Sequence, residues 1–209
     1  FDLAAAELVC GAGPLTPEDV LDLVMSLVDK SLVMVRETDG ESRYRMVETL
    51  REFGLEALQK RGEHPATAIR HCDHFLVVAK ASNKGLQGSE QAEWIRRVEA
   101  DFDNMRAAIV LALNGGADPV QAVKFEVALM GFRILRGYST EGRKHIHAAL
   151  ALPKVQESDN VHAHALYVGA DLAITQGDYA EASRMLEACL ALRRAIGNPF
   201  DIGATLSTL

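Results

Sequence analysis

His71, Cys72, Asp73 and His74 form the one run in this 209-residue chain made of metal-ligand residue types. On a helix the two histidines, three apart, share a face while Cys72 points elsewhere. A tetrahedral site needs three or four converging ligands and no second cluster completes one, so a packed or solvated histidine pair is expected and no metal. His145 and His147, two apart on a helix, diverge. Nucleophilic chemistry has no better support. There is no G-x-S-x-G, and no cysteine has an identifiable His and Asn or Asp context. No G-x-x-x-x-G-K-[ST] is present to cradle a nucleotide phosphate. The residues predict neither an enzyme nor a cofactor. Cys10, Cys72 and Cys189 are odd in number and far apart, which suits reduced thiols in a cytoplasm.

Charge narrows the partners. The net charge of −7 and a pI near 5.5 argue against a chain that coats nucleic acid or an anionic membrane. No apolar run reaches the roughly 18 residues needed to span a bilayer. A helix from Pro17 to Lys30 carries Glu18, Asp19, Asp22 and Asp29 against a single Lys30, which would repel phosphates. Arg36, Arg43 and Arg45 make a local basic cluster, with Glu37, Asp39 and Glu41 set between them.

The elements that position these residues can be read from periodicity. Apolar residues at 48% and charged residues at 24% describe a folded chain with a real core. Asp2 caps a short helix to Cys10, stopped at Gly11-Ala12-Gly13-Pro14. Thr16, Pro17 and Asp19 are placed as cap, first helical residue and capping-box partner. Val20, Leu23, Val24, Leu27 and Val28 then repeat at helical spacing. Residues 32–36 and 43–47, rich in β-formers, flank Asp39-Gly40 and predict a hairpin. Helix, helix, hairpin is the order of a winged-helix domain. Thr49 to Glu52 reads as a capping box opening a helix to about Arg61.

Beyond Gly62 only helical signals continue. Pro65 starts a helix to about Ser82, ended by Asn83-Lys84-Gly85, and Ser89 opens the next. In that second helix Trp94, Ile95, Val98, Phe102, Met105, Ile109 and Ala112 share a stripe, with Trp94 as a core anchor. Helices follow, broken at Gly137, near Pro153, at Gly177 and at Gly197-Asn198-Pro199. A shift of 40 residues lays Arg136–Gly142 on Gln176–Ala182 and Ala148–Leu152 on Ala188–Leu192, the mark of a helical solenoid. The chain opens at Phe1 without Met and stops at Leu209 inside an apolar-periodic stretch, which predicts an excised piece of a larger protein.

Gly169-Ala170, Gln176-Gly177-Asp178-Tyr179-Ala180-Glu181-Ala182, Leu186, Cys189 and Leu190 resemble the tetratricopeptide (TPR) repeat, at the longer period of bacterial signal-transduction ATPases. The resemblance implies close packing at Gly169, Ala170, Ala182 and Cys189, the last as an inert buried thiol. The runs Leu27–Val33 and Tyr44–Phe53 resemble the winged-helix segment of STAND-type regulators, the large LuxR-type and SARP-type bacterial transcriptional regulators. The stretch from Trp94 to Ala107 is similar to that family's linker into its repeats.

The fold so implied is mainly α. A winged-helix-like domain with one β-hairpin spans 1–62, a helical connector 63–116, and TPR-like repeats 117–209. The function implied is a non-catalytic sensor fragment whose repeats bind a protein or small-molecule effector. ATP and Mg are expected only for an upstream ATPase module outside this chain. The first helix of each TPR pair lines a concave face, here Lys124, Val127, His164, Tyr167 and Asp171. Those side chains suit a peptide or small effector and equally suit an ordinary solvated surface. The alternative is a DNA-binding winged-helix transcription factor domain, against which the acidic helix speaks. Ile202, Leu206 and Leu209 would lie on the first helix of a further pair, a surface on which a homodimer could form.

Overall fold

A computed structural model describes residues 1–12, 15–38 and 40–209. Gly13, Pro14 and Asp39, which carry part of the expected helix stop and of the hairpin turn, lie outside the described residues. The chain is mainly helical and divides into two compact units, Phe1–Phe75 and Leu76–Leu209.

The first unit opens with α1 (Leu3–Cys10), where Asp2 Oδ1 accepts from the Ala5 N–H at 2.7 Å. In α2 (Pro17–Asp29) the capping box closes from both sides. The Asp19 N–H donates to Thr16 Oγ1 at 3.3 Å, and the Thr16 N–H donates to the Asp19 carboxylate at 2.8 Å. Ser31, at φ +58°, turns the chain out of α2 in the left-handed region. The hairpin of β1 (Val33–Thr38) and β2 (Glu41–Met46) is antiparallel, with Val33 opposite Met46 and Val35 opposite Tyr44. Ala6, Val20, Val24, Val33 and Tyr44 form the core, with Leu3, Leu27, Val28 and Met46 packed around them. Phe1 pairs with Tyr44 through both backbone groups, at 2.7 and 3.0 Å, and their rings stack.

Helix α3 (Glu48–Lys60) corrects one expectation. It follows directly from the end of β2, so Val47, in extended backbone, takes the cap position and no side chain caps it. Thr49 is already helical. Arg51 Nε instead donates to Glu48 Oε2 at 2.9 Å, and this bond keeps the Glu48 carboxyl below its ordinary pKa. No residue of α3 is fully buried. Helix α4 (His64–Gly85) runs a few residues beyond its expected end, and the division between the units falls within it.

The second unit continues with α5 (Gln91–Leu113), α6 (Pro119–Arg136), α7 (Ser139–Leu150), the single turn α8 (Pro153–Gln156), α9 (Asp159–Ile174), α10 (Tyr179–Ile196) and α11 (Pro199–Thr208). Ser89 does not cap α5; Glu90 precedes it, and Gln91 Nε2 donates back to the Leu86 carbonyl at 2.8 Å. The expected stripe of α5 is buried at Val98, Phe102, Met105, Ile109 and Ala112. Helix α6 packs on α5, α7 and α9, while α9 also packs on α7 and α10, and α11 packs on α10. Two buried clusters serve these contacts, one around Ile146, Val168 and Leu172, the other around Leu166, Met185 and Leu186.

The 40-residue spacing is visible in the backbone. Asp118, Ser158 and Asn198 each precede a helix, and Gly137 and Gly177 each end a helix or its turn at φ +77° and +76°. A Cβ on Gly142 would meet Arg133 Cδ at 2.7 Å and Leu172 Cδ1 at 2.8 Å, and one on Gly169 would meet Met185 Sδ at 2.9 Å. Ala170, Ala182 and Cys189 are likewise buried. No described helix is long and apolar enough to cross a membrane.

Gly85 has a tighter constraint. A Cβ there would stand 2.2 Å from three atoms of the Trp94 ring. Alanine normally favours a helix over glycine by about 1 kcal/mol. Here a rigid aromatic must move, and overpacking costs about 1–3 kcal/mol. Gly85→Ala is therefore expected to lower the stability of Leu76–Leu209 despite its better propensity. Urea unfolding followed through Trp94, the chain's single tryptophan, checks this. A stabilised variant would show that the ring yields freely.

Candidate functional site

The two helices that follow the 40-residue caps, α6 and α9, share a groove with the second half of α4. Helix α6 contributes Val123, Lys124, Val127 and Ala128. Helix α9 contributes Asn160, Val161 and His164, and α4 contributes Lys80 and Asn83. The cavity measures ≈ 250 Å³. Its positions follow from helical spacing: Lys124 and Val127 are three apart, as are Lys80 and Asn83, while Asn160 and His164 are four apart. Lys80 and Lys124 are exposed, whereas Val123 and Ala128 are buried beneath. His164 Nδ1 lies 2.7 Å from the Asn160 carbonyl. A carbonyl only accepts, so Nδ1 carries the hydrogen and the neutral ring is the Nδ1–H tautomer. Two ammonium groups, an imidazole and two primary amides thus surround an apolar floor, and among the described residues no carboxylate lines the groove.

Three of the five side chains expected on a concave face, Lys124, Val127 and His164, meet in this groove. Tyr167 and Asp171 belong instead to a cluster with α10 and α11. The Arg193 guanidinium lies over the Tyr167 ring at 4.4 Å, and Tyr167 Oη is 3.2 Å from Thr208 Oγ1. Burial pushes the Asp171 carboxyl above its ordinary pKa, an effect that Arg193 partly offsets. Arg193, itself buried, donates from Nη1 to the Asp201 carbonyl at 2.9 Å and to Thr205 Oγ1 at 2.7 Å. Lys80 and Asn83 were not legible as groove residues, since Asn83 reads from sequence as a helix stop.

A buried ionic cluster was also missed. Arg133, 0% exposed, lies 2.6 Å from Glu126, 1% exposed, through Nε and Oε2. Its Nη2 donates to Glu126 Oε1 at 2.7 Å and its Nη1 to Glu141 Oε2 at 3.1 Å. His145 Nδ1 lies 2.8 Å from Glu126 Oε1 and 3.2 Å from Arg133 Nη2, so it donates to the carboxylate in one tautomer and accepts from the guanidinium in the other. Arg106 reaches Glu141 from α5, with its guanidinium 4.3 Å from the Phe102 ring. Burial pushes the Glu141 carboxyl up, but Arg106 and Arg133 together hold it below its ordinary value. The sequence signal was present: Glu126 and Arg133 are seven apart, on one face of α6. Farther along, Arg143 donates to Gln176 Oε1 at 2.6 Å and to Asp178 Oδ2 at 2.8 Å, and also pairs with Glu181.

In the first unit, the register places Arg36 opposite Arg43 and Met34 opposite Arg45. Strand pleating then puts all three arginines on the face away from Val33 and Tyr44. Glu37, opposite Ser42, turns to the other face, while Asp2 lies 3.5 Å from Arg43. Glu18, Asp19, Asp22 and Asp29 of α2 are all exposed.

His71 and His74 both pack on the Phe75 ring, at 4.7 and 4.8 Å between centroids. Burial, with a smaller contribution from His74, holds the His71 pKa down to about 4. Among the described residues no three His, Cys, Asp or Glu side chains converge as metal ligands. Burial pushes the Cys72 thiol up to about 11 and raises Cys189, whose Sγ donates to the Ala163 carbonyl at 3.2 Å. Such thiols stay protonated and are poor nucleophiles near neutral pH.

Comparison with known proteins gives a family of names and no solved fold. The chain is 31% identical over 206 residues to two proteins named "putative HTH-type transcriptional regulator", one from Mycobacterium tuberculosis (strain ATCC 25618 / H37Rv) and one from Mycobacterium bovis (strain ATCC BAA-935 / AF2122/97). The match covers 95% of this chain and 23% of each relative, so the chain spans about a quarter of the length of the curated relatives it matches. No family model and no solved structure matches it.

Proposed function

We propose that this chain is a non-catalytic regulatory segment of a transcriptional regulator of the STAND type, acting in the cytoplasm. Its helix–helix–hairpin unit reads as a winged helix used for intramolecular packing. Its later helices read as TPR-like repeats that bind an effector or a protein partner, with any ATPase module outside this chain. The observation that carries the reading is the groove between α4, α6 and α9, where Lys124, Val127 and His164 meet. The match along 95% of the chain to proteins named as transcriptional regulators supports the regulatory setting. A bound effector shifts a regulator only if it prefers one of two states, so the groove must differ between them.

A second reading, direct DNA contact, is favoured by Arg36, Arg43 and Arg45 on one hairpin face. The four exposed carboxylates of α2 oppose it, because phosphate contacts supply most of the affinity in such complexes. Fluorescence anisotropy with duplex DNA at low salt is expected to show no binding by this chain, even where nonspecific attraction is strongest. A complementary test removes the matched 206 residues from the Mycobacterium tuberculosis relative and follows a transcriptional reporter. The proposal expects promoter occupancy to persist while the regulated response is lost. Loss of occupancy itself would favour the DNA-contact reading.

A further inference from the structure

We infer that the α4–α6–α9 groove takes a small organic carboxylate with a short apolar body, held by Lys80 and Lys124 at one end and by the valine floor at the other. The inference deepens the regulatory reading above by naming the chemical class of the effector. It rests on a local reversal of charge. The chain as a whole carries −7, yet this groove has two lysines and a histidine and, among the described residues, no Asp or Glu in its lining.

Both ends of such a ligand have a counterpart. Ammonium groups and the amides of Asn83 and Asn160 supply donors for a carboxylate, and charge-assisted bonds of this kind are roughly twice as strong as neutral ones. Val123 and Ala128 are 2% and 3% exposed, so the floor is a continuation of the core rather than a solvated surface. A ligand body laid on it is desolvated on that side, which strengthens the charge contact at the rim.

Size and net charge favour a small anion over a larger one. At ≈ 250 Å³ the cavity falls just below the roughly 300–1,000 Å³ of sites for drug-sized ligands. A polyanion such as nucleic acid would extend beyond the two lysines and meet the negative charge of the rest of the chain. A small monoanion stays inside the favourable region.

The test uses the whole 209-residue chain and a matched panel. Straight-chain and aromatic carboxylates of about four to ten carbons are compared with their primary amides and with inorganic phosphate. The readouts are the imidazole resonances of His164 and calorimetry. Carboxylates are expected to shift the His164 signals saturably, with the corresponding amides and phosphate at least tenfold weaker. The double variant Lys80→Gln/Lys124→Gln, which alters exposed positions and keeps the helical spectrum, is expected to weaken the best carboxylate at least tenfold.

The assignment is overturned if no carboxylate shifts His164 at millimolar concentration, if amides bind as well as carboxylates, or if the double variant changes affinity less than twofold. Phosphate binding as tightly as the carboxylates would also overturn it, since the apolar floor would then contribute nothing. Any of these results leaves the transcriptional readout in the relative unaffected, so failure here is distinguishable from failure of the regulatory reading.

Discussion

Arg133→Met is expected to lower the unfolding free energy of Leu76–Leu209 by about 3–5 kcal/mol, the usual cost of removing one partner of a buried ion pair. Arg133 is fully buried and serves Glu126 through two contacts, at 2.6 and 2.7 Å. Removing the guanidinium leaves the Glu126 carboxylate, also buried, with His145 Nδ1 as its remaining polar contact among the described residues. It also takes one donor from Glu141, although Arg106 continues to hold that carboxylate. The second substitution decides the mechanism. In Glu126→Leu/Arg133→Met neither charge remains, and well-packed apolar replacements of a buried pair are often neutral or better. Most of the lost stability should return, and a urea-denaturation cycle over the four proteins measures the coupling. A single variant that loses less than about 1 kcal/mol, the net worth of one ordinary hydrogen bond, would show that the pair is solvated after all.

Acidification should weaken the first unit in a window set by His71. The folded pKa is about 4, below the ordinary value near 6.5, because burial disfavours the charged ring and His74 adds a smaller repulsion. Between those values the unfolded chain binds a proton that the folded chain refuses. Stability contributed by the neutral ring is therefore present at pH 7 and falls as the pH drops from about 6.5 towards 4. At about 1.4 kcal/mol per unit, the loss reaches about 3 kcal/mol at the lower end. Carboxylates titrate over part of the same range, so the comparison that isolates His71 is His71→Leu. Thermal melts should give a flatter acid limb for the variant, which becomes the more stable protein near pH 4.5. Parallel acid limbs would mean that His71 charges as easily folded as unfolded.

The parts of the fold that were legible are those fixed by local chemistry. Asp2 and the Thr16–Asp19 box cap their helices because a carboxylate or hydroxyl directly precedes an apolar-periodic segment. The hairpin register follows from β-formers on either side of a tight turn. Thr49 and Ser89 fit the same capping pattern and do not cap. At Thr49 the strand ends too late to leave room for a non-helical residue there. Near Ser89, Gln91 is committed to the Leu86 carbonyl in the turn after α4, so α5 starts later. Capping rules see four residues at a time, and these two outcomes depend on the segment before.

The site was half legible for a related reason. Lys124, Val127 and His164 lie on helices whose 40-residue spacing assigns them equivalent faces, and they meet in one groove. Lys80 and Asn83 come from a helix outside that repeat, so no periodicity connects them to it. Tyr167 and Asp171 sit on the same helix as His164 but are drawn to Arg193, a partner visible only once α10 and α11 are in place. The Glu126–Arg133 pair has the seven-residue spacing of one helix face, but charges beside Lys124 and Arg136 read as surface until burial shows them locked together.

The regular spacing of Asp118, Ser158 and Asn198, and of Gly137 and Gly177, has a consequence for how such chains change length over generations. A duplication or deletion of one whole 40-residue block returns a short polar residue to a helix start and a left-handed glycine to a turn. Every junction then meets a neighbour of the kind it had before. An insertion of a quarter of that length would deliver a glycine to the interior of α7 or α10 and an apolar face to water. Copy number is therefore the coordinate along which this architecture can vary by single genetic events, adding or removing helix surface without redesigning any helix.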